Sequence, residues 1–402
     1  MSQSKTTKDH REIGQELDLF SFHDVAPGAV FWHPKGLVIY RTLQEFIRRK
    51  IAQDGYREIS TPIMVKSSLF KKSGHWEHFG HSMFNLIIDE ESWTLKPMNC
   101  PESTLIYSSR TRSYHDLPLK FSDYGILHRR ELSGVIGGLF RVRQFVIDDA
   151  HLYVRPDQIQ EEIHKLILLV VDIYKSLGFK PRFYFATKPE KAMGDPKLWG
   201  EAEKDLEIAL KEAKVKYSIK PKEGAFYGPK IDIHIKDSQD RDWQLATIQL
   251  DFQIPERMGL VYIDKDGKGK RPVMIHRAIF GSFERFIGIL IEHYQGAFPL
   301  WISPVQVVLL PITDRHTEHA LKINEGLEKA GIRCEVDSRQ ETLQAKIRDA
   351  TLQKVPYMGI IGDKEVAGNN IVSIRTGEGK DLGQMKISQF LKRLKEEIDK
   401  KI

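Results

Sequence analysis

Cysteine is scarce: Cys100 and Cys334 are the only two in 402 residues. Two thiols cannot build a disulfide framework, and so low a count suits a reducing compartment. No apolar run approaches the roughly 20 residues needed to span a bilayer. The opening MSQSKTTKDHREIG shows no apolar h-region of the secretory kind. No Gly-x-x-x-x-Gly-Lys-Ser/Thr loop is present, and no strand runs into a Gly-x-Gly-x-x-Gly turn, which excludes the two commonest phosphate cradles. Internal repeats and low-complexity tracts are also missing. The charge excess is small, with 61 basic against 55 acidic side chains for a net +6. That balance is compatible with a polyanionic partner, and equally with a solvated basic surface.

What remains is ordinary globular material, 41% hydrophobic and 29% charged, long enough for two or three domains. The first ten residues are polar and read as a loose tail. Leu37, Tyr40, Leu43, Phe46, Ile47 and Ile51 fall at helical spacing, and Asp54-Gly55 ends that helix. Tyr56 to Met64 then reads as a strand. From Leu119 to Val154 the pattern is strand, glycine-bearing loop, strand, which predicts a long antiparallel hairpin. Helices are expected over Asp157 to Leu177 and Leu198 to Ala213, strands over Ile231 to Ile235 and Gln244 to Phe252, and a helix over Ser282 to Tyr294. Beyond Phe298-Pro299, strands at Val305–Leu310, Ile332–Val336, Tyr357–Ile361 and Ile371–Arg375 alternate with helices at His316–Ala330, Thr342–Gln353 and from Ile387. This alternation predicts a separate α/β domain with a largely parallel sheet.

Without a phosphate loop, any bound nucleotide would have to be held by side chains. The predicted hairpin offers them. Arg129 and Glu131 are two apart and share a strand face; Arg141, Arg143 and Phe145 share parity on the return. An arginine fork can bridge carboxylate and phosphate, a carboxylate can accept from an exocyclic amine, and an aromatic ring can stack a base. A charged hairpin facing solvent would carry the same residues. Gly281-Ser-Phe-Glu-Arg285 opens a helix, where a helix N-terminus and a guanidinium could together hold a terminal phosphate; a surface pairing is the bland alternative.

Taken together, these segments resemble one family. His128-Arg129-Arg130-Glu131 is similar to motif 2 of class II aminoacyl-tRNA synthetases, Tyr56 to Pro62 to motif 1, and Gly281 to Arg285 to motif 3. More specifically, Ser73-Gly-His-Trp76, Lys96-Pro-Met-Asn-Cys-Pro101, Arg141-Val-Arg143, Asp148-Asp-Ala-His151, Gly224-Ala-Phe-Tyr-Gly-Pro-Lys230 and Met274-Ile-His-Arg-Ala278 resemble the threonine-specific members, in order, from about Asp9 to the C-terminus. The resemblance implies an α/β (α+β) fold: a catalytic domain with a mainly antiparallel sheet flanked by helices, then a smaller anticodon-binding domain with a mixed, largely parallel sheet. The expected division is a tail over 1–10, the catalytic domain over 11–299 and the anticodon-binding domain over 300–402.

The resemblance also implies roles. Cys100, His151 and His276 match the family's zinc ligands; spacing alone would not choose them from 15 histidines. Zinc with an open fourth position would take the threonine amino and hydroxyl groups, with Asp149 accepting from the hydroxyl. Tyr227, Lys230, Gln249 and Met98 would line the threonine pocket, with Gln244 beside the adenylate. Arg129 would bridge the carboxylate and α-phosphate of ATP, which arrives with Mg²⁺. Arg141 and Arg285 would hold its terminal phosphate, and Glu131 and Phe145 would read and stack adenine. His75 matches a histidine implicated in transfer to the tRNA 3′ end. Glu365 and Arg375 are candidates for reading anticodon bases.

Departures from the family pattern are Ile147 for a glutamine, Leu245 for a cysteine, Glu102-Ser103 for Gly-His, and Arg130 and Leu132 around Glu131. The loop Ala367 to Asn370 reads as one residue longer than usual. The implied reaction is ATP-dependent activation of L-threonine and its transfer to tRNA(Thr), in a homodimer joined through the motif 1 region. Cytoplasmic residence is expected, with an organelle matrix also open. Because catalytic motifs begin almost at Met1, no amino-terminal editing domain is expected, so that mischarged serine would be cleared by a separate trans-editing protein or tolerated. The rival readings are a sister enzyme for proline or serine, and a synthetase-derived RNA-binding or regulatory paralogue without aminoacylation activity.

Overall fold

A computed structural model describes residues 8–193, 195–237, 239–368 and 370–401. The chain forms two compact units, one of Phe22–Val30 and Gln44–Gly288, the other of Met1–Ser21, Phe31–Leu43 and Ile289–Ile402.

The first unit is built on eight strands: β1 (Arg57–Ile59), β2 (Leu119–Asp123), β3 (Asp149–Val154), β4 (Arg182–Ala186), β5 (Tyr217–Lys220), β6 (Lys230–Lys236), β7 (Asp242–Asp251) and β8 (Val273–Ala278). Their order is β5-β4-β6-β7-β8-β3-β2-β1. The five inner pairings are antiparallel, while β4 with β5 and β1 with β2 are parallel. The sheet is therefore mainly antiparallel, as the sequence leads one to expect.

The predicted hairpin forms in two stages. β2 and β3 pair with each other, and beyond Tyr124-Gly125 and Ile147-Asp148 the chain pairs again as Ile126–His128 with Gln144–Val146. The strand expected over Tyr56 to Met64 is split. Arg57–Ile59 joins the large sheet, whereas Met64–Lys66 joins a three-stranded sheet with Phe84–Ile88 and Glu91–Leu95. Pro62 lies at the break; it has no N–H to give a ladder.

Helix Ile159–Ser176 covers the sheet with the face its spacing predicts: Ile159, Ile163, Leu166, Val170 and Ile173 are all buried. It packs beside helix Pro196–Glu212, whose entry Asp195 caps by accepting from the Lys197 amide at 2.8 Å.

In the second unit, β9 (Val307–Pro311), β10 (Cys334–Val336), β11 (Tyr357–Ile361), β12 (Ile371–Thr376) and β13 (Asp381–Lys386) run in the order β10-β9-β11-β12-β13. The first two pairings are parallel and the last two antiparallel, so the sheet is mixed. Strand β13 is absent from the sequence reading because Asp-Leu-Gly-Gln-Met-Lys has no run of β-branched residues. Among the expected tail residues, 1–7 lie outside those described, while Asp9 caps a helix over His10–Glu16 and His10 is buried with Nδ1 2.8 Å from Glu292. The early residues are held to this unit by contacts with its later ones: Lys35 Nζ donates to Gln353 Oε1 at 2.8 Å, and Gln353 Nε2 donates to Glu16 O at 3.0 Å. Those contacts are why the compact division differs from a single cut near Pro299.

In the first turn of helix Phe283–Tyr294, Glu284 is buried and accepts from the Val146 amide at 3.1 Å. Burial pushes its carboxyl from an ordinary 4.5 up to about 8. The folded chain then holds a proton that the unfolded chain has released, so this contribution to stability is complete below the unfolded value and is lost as pH rises through the folded one. Urea unfolding should show stability falling between about pH 5 and pH 8, by at most about 1.4 kcal/mol per pH unit from this group. In Glu284→Gln that fall should flatten; an unchanged pH profile would place the titration elsewhere.

Candidate metal and substrate site

Strand register assembles the site. Lys230 pairs with Gln249, Gln249 with His276, and His276 with His151, so four functional candidates form one row across β6, β7, β8 and β3. A β-bulge adds Gln244. Ile233 faces Ala246 while His234 faces Gln244, leaving Leu245 as the extra residue. The bulge changes side-chain parity, so Gln244 reaches Asp232 Oδ1 at 2.7 Å on the same face as Thr247, 3.5 Å from that atom. Leu245 itself is buried.

Cys100 is the first residue of helix Cys100–Ser108, and its donor atom and those of His151 and His276 all lie within 4.8 Å of one another. All three residues are buried. The rings of His151 and His276 meet edge to face at 5.1 Å. Asp251 Oδ2 stands 2.9 Å from Nε2 of His276, as an outer carboxylate that orients a metal-bound imidazole would. His151 is fully buried, yet neither of its ring nitrogens has a hydrogen-bond partner; Asp149 Oδ2 is 3.7 Å from Nε2. Burial pushes the Cys100 thiol up and the His151 imidazole down. A buried imidazole with two idle nitrogens is costly, and a cation shared with a thiolate and a second histidine would offset that cost. The donor set therefore fits a metal ion.

Around the cluster, Asn99 Nδ2 donates to Asp149 at 3.1 Å. Tyr227 Oη donates to Gln249, and the Tyr227 ring lies 5.5 Å from that of His276. Lys230 pairs with Asp232 at 2.7 Å. Met98 is half-buried in the apolar cluster that includes Cys100. His75 opens the short helix His75–Phe79 and is buried, with Nε2 3.8 Å from Cys100 Sγ and Nδ1 2.9 Å from Ser73 Oγ. Its imidazole is held down at about 4, chiefly by burial.

The hairpin residues gather separately. Arg129 lies over the Phe145 ring at 5.1 Å and its Nε donates to Pro97 O at 3.2 Å. Arg141 pairs with Glu131 at 2.9 Å, and Arg285 Nε donates to Phe140 O at 2.9 Å. Burial lowers the pKa of Arg129 and Arg285; Glu131 opposes the shift in both, and repulsion from another arginine adds to it. Three guanidiniums beside one carboxylate make a locally positive floor suited to a polyphosphate. Ile147, where the family resemblance expects glutamine, is half-buried against Leu127, Val142 and Phe145.

In the second unit, Glu365 and Arg375 stand differently. The Glu365 carboxylate is buried and accepts from the Gly362 amide, Ser373 Oγ and Gln384 Nε2 at 2.9, 2.7 and 2.6 Å. Arg375 shares the Ser373 face of β12, and its Nε is buried without a hydrogen-bond partner. The lengthened loop includes residue 369, which lies outside the described residues.

Sequence reasoning missed Asp251 and Asp232, and gave no role to Asn99 and Ser73 within the motifs that contain them. Asp251 and Ser73 each lie two residues from a residue it did name, Gln249 and His75, and Asp232 lies two from Lys230; strand parity would have flagged Asp232 and Asp251.

The family described as tRNA synthetase class II core domain (G, H, P, S and T) matches residues 84–294, and an anticodon binding domain matches residues 306–397. A threonine–tRNA ligase of Caldanaerobacter subterraneus subsp. tengcongensis is 50% identical over 99% of this chain. The chain spans 62% of the length of that relative. Among solved structures, the RNA binding domain of threonyl-tRNA synthetase from Cryptosporidium parvum Iowa II matches with TM-score 0.93 and 38% identity, over 97% of this chain and 98% of that one. A putative threonyl-tRNA synthetase from Aeropyrum pernix matches with TM-score 0.84 and 26% identity, over 98% and 97%.

Gly228 tests the packing that seats Tyr227. A Cβ there would stand 1.8 Å from Leu250 O, inside the β7 backbone. Gly228→Ala should therefore destabilise the fold by about 1–3 kcal/mol in urea unfolding; a neutral substitution would mean that the loop is free to shift.

Proposed function

The chain belongs to the threonyl-tRNA synthetase family of class II aminoacyl-tRNA synthetases, and from that premise we propose that it activates L-threonine with ATP and transfers it to tRNA(Thr). The observation that carries this reading is the buried Cys100, His151 and His276 cluster, with idle nitrogens on His151, in one row with Gln249 and Lys230. Zinc is the metal we assign to it, on the strength of one thiolate and two imidazoles. When bound, it supplies Lewis-acid contact to the amino acid's amino and hydroxyl groups.

Asp149, steadied by Asn99, accepts from the substrate hydroxyl. Tyr227 and Gln249 form one wall, and Lys230 and Gln244, both tied to Asp232, stand farther along the row. This arrangement rejects valine strongly. A site that pairs a hydroxyl discriminates against the analogue lacking it by roughly 10⁴–10⁵-fold, whereas loss of one methyl, as in serine, is worth only about 10–200-fold.

The threonine carboxylate is already ionised at neutral pH, so activation needs placement and charge neutralisation. Arg129 spans the carboxylate and α-phosphate, Arg141 and Arg285 take the terminal phosphate, and Glu131 with Phe145 receives adenine. ATP enters with Mg²⁺, as class II ligases generally require. His75 assists transfer at the terminal ribose. Glu365 fixes the surface from which Arg375, with its idle Nε, reads an anticodon base. The reading extends to a homodimer through the motif 1 region, where Ile63 and Met64 are exposed.

Amino-acid-dependent exchange of pyrophosphate into ATP tests this. Threonine should drive exchange far better than serine, valine or proline, and a zinc chelator should abolish it. Cys100→Ala should purify without its equivalent of metal. Exchange driven best by proline or serine, or threonine exchange indifferent to chelation, would overturn the proposal.

A further inference from the structure

Phe226 and Tyr227 are neighbours in the loop that leads into β6, and their rings meet edge to face at 4.8 Å. Tyr227 turns to Gln249 and His276. Phe226 turns instead to the helix His75–Phe79, where His78 stacks on it with ring centroids 3.8 Å apart and planes 21° from parallel. Phe79 stands 6.5 Å from the same ring. His78 is exposed and Phe226 half-buried, so the imidazole shields a ring that would otherwise meet water. At its two ends the loop is pinned by backbone: the Gly224 amide donates to Thr187 O at 2.8 Å, and Gly228 is pressed against Leu250 O. Between those pins the main-chain hydrogen bonds are the Gly228 amide to Ala225 O, at 3.3 Å, and Phe226 O accepting from the Met193 amide at 2.8 Å.

The contacts therefore close a ring. His75 touches Cys100, Cys100 lies with His276, His276 meets Tyr227, Tyr227 meets Phe226, and Phe226 stacks on His78, three residues along the helix that carries His75. Residues three apart share a helix face. One short helix thus touches the metal cluster at one residue and the pocket wall at another.

We propose that the His78–Phe226 stack is a clasp that holds the loop carrying Tyr227 over the amino-acid pocket, making His78 and Phe226 positioning residues for the amino acid. Neither side chain touches the reacting atoms. Their effect passes through Tyr227, so it falls on amino-acid binding and leaves the ATP side alone. The proposal rests on the assigned threonine reaction for its kinetic consequence, and on geometry alone for the clasp itself.

Two measurements on the full chain separate these. Hydrogen exchange without substrate should show the Gly224 and Gly228 amides exchanging about three- to tenfold faster in His78→Ala and Phe226→Ala, with protection restored in His78→Phe, as loss and recovery of one aromatic pair would give. Pyrophosphate exchange should show KM for threonine raised by a similar factor of about three to ten in the alanine variants, with kcat and KM for ATP little changed, and recovery in His78→Phe. Unaltered loop exchange in both alanine variants would overturn the clasp. A loosened loop with unchanged KM for threonine would overturn the positioning role. Absence of threonine-driven exchange in the unmodified protein would count against the assigned reaction, while the hydrogen-exchange result would still decide the clasp.

Discussion

His151 and His276 face each other across an antiparallel pair, and the pocket is organised around that register. Side chains alternate along a strand, so a slip of one residue would turn both imidazoles to the opposite face and take Gln249 and Lys230 with them. The register is pinned next door. Asp148, just before β3, accepts from the Ile279 and Phe280 amides at 3.0 and 2.9 Å and pairs with fully buried Arg277 at 3.1 Å, just after His276. A buried ion pair of this kind adds little net stability, but breaking it leaves an uncompensated charge. Its value is in fixing which residues meet.

From that row outward, the site divides into two chemical regions. Carboxylates, amides and the Cys/His cluster surround the place proposed for the amino acid. Guanidiniums beside the hairpin and on the helix Phe283–Tyr294 surround the place proposed for phosphates. Arg129 belongs to both, since its charge is felt by Cys100 and Asp149 on one side and by Glu131 and Arg285 on the other. The proposed reaction, which joins a carboxylate to an α-phosphate, needs such a group at the boundary. Asp149, His151, Lys230, Gln249 and His276 project from paired strands, and His75, Cys100 and Arg285 from the first turn of a helix, which is how a fold holds geometry tightly. Arg129, Glu131 and Tyr227 are placed by the segments between.

Much of this layout is legible in the sequence. The helix Ile159–Ser176, an antiparallel hairpin between Leu119 and Val154 and the alternation of the C-terminal unit follow from apolar spacing and glycine placement; the division of that hairpin into two stages does not. The metal donors do not: Cys100, His151 and His276 are far apart in sequence, and only their likeness to family motifs singles them out. Asp251 escapes because an acidic residue at a strand end usually marks solvent. The bulge at Leu245 escapes because an extra residue leaves no compositional trace; counting by twos puts Gln244 on the wrong face, and only the pairing with His234 restores it. Glu365 and Arg375 also come from the family resemblance alone. Charge by itself would leave both as surface residues; in the structure the Glu365 carboxylate accepts from three donors, and Arg375 has a buried Nε without a hydrogen-bond partner.

The central claim is that the Cys100, His151 and His276 cluster holds zinc and uses it to read the amino acid. X-ray absorption at the zinc edge, on the purified chain with and without threonine, tests it most directly. The account predicts one sulfur at about 2.3 Å and two imidazole nitrogens at about 2.0 Å, with added light-atom ligands when threonine binds and no such change with valine. A purified chain without stoichiometric zinc, or a coordination shell indifferent to threonine, would contradict it.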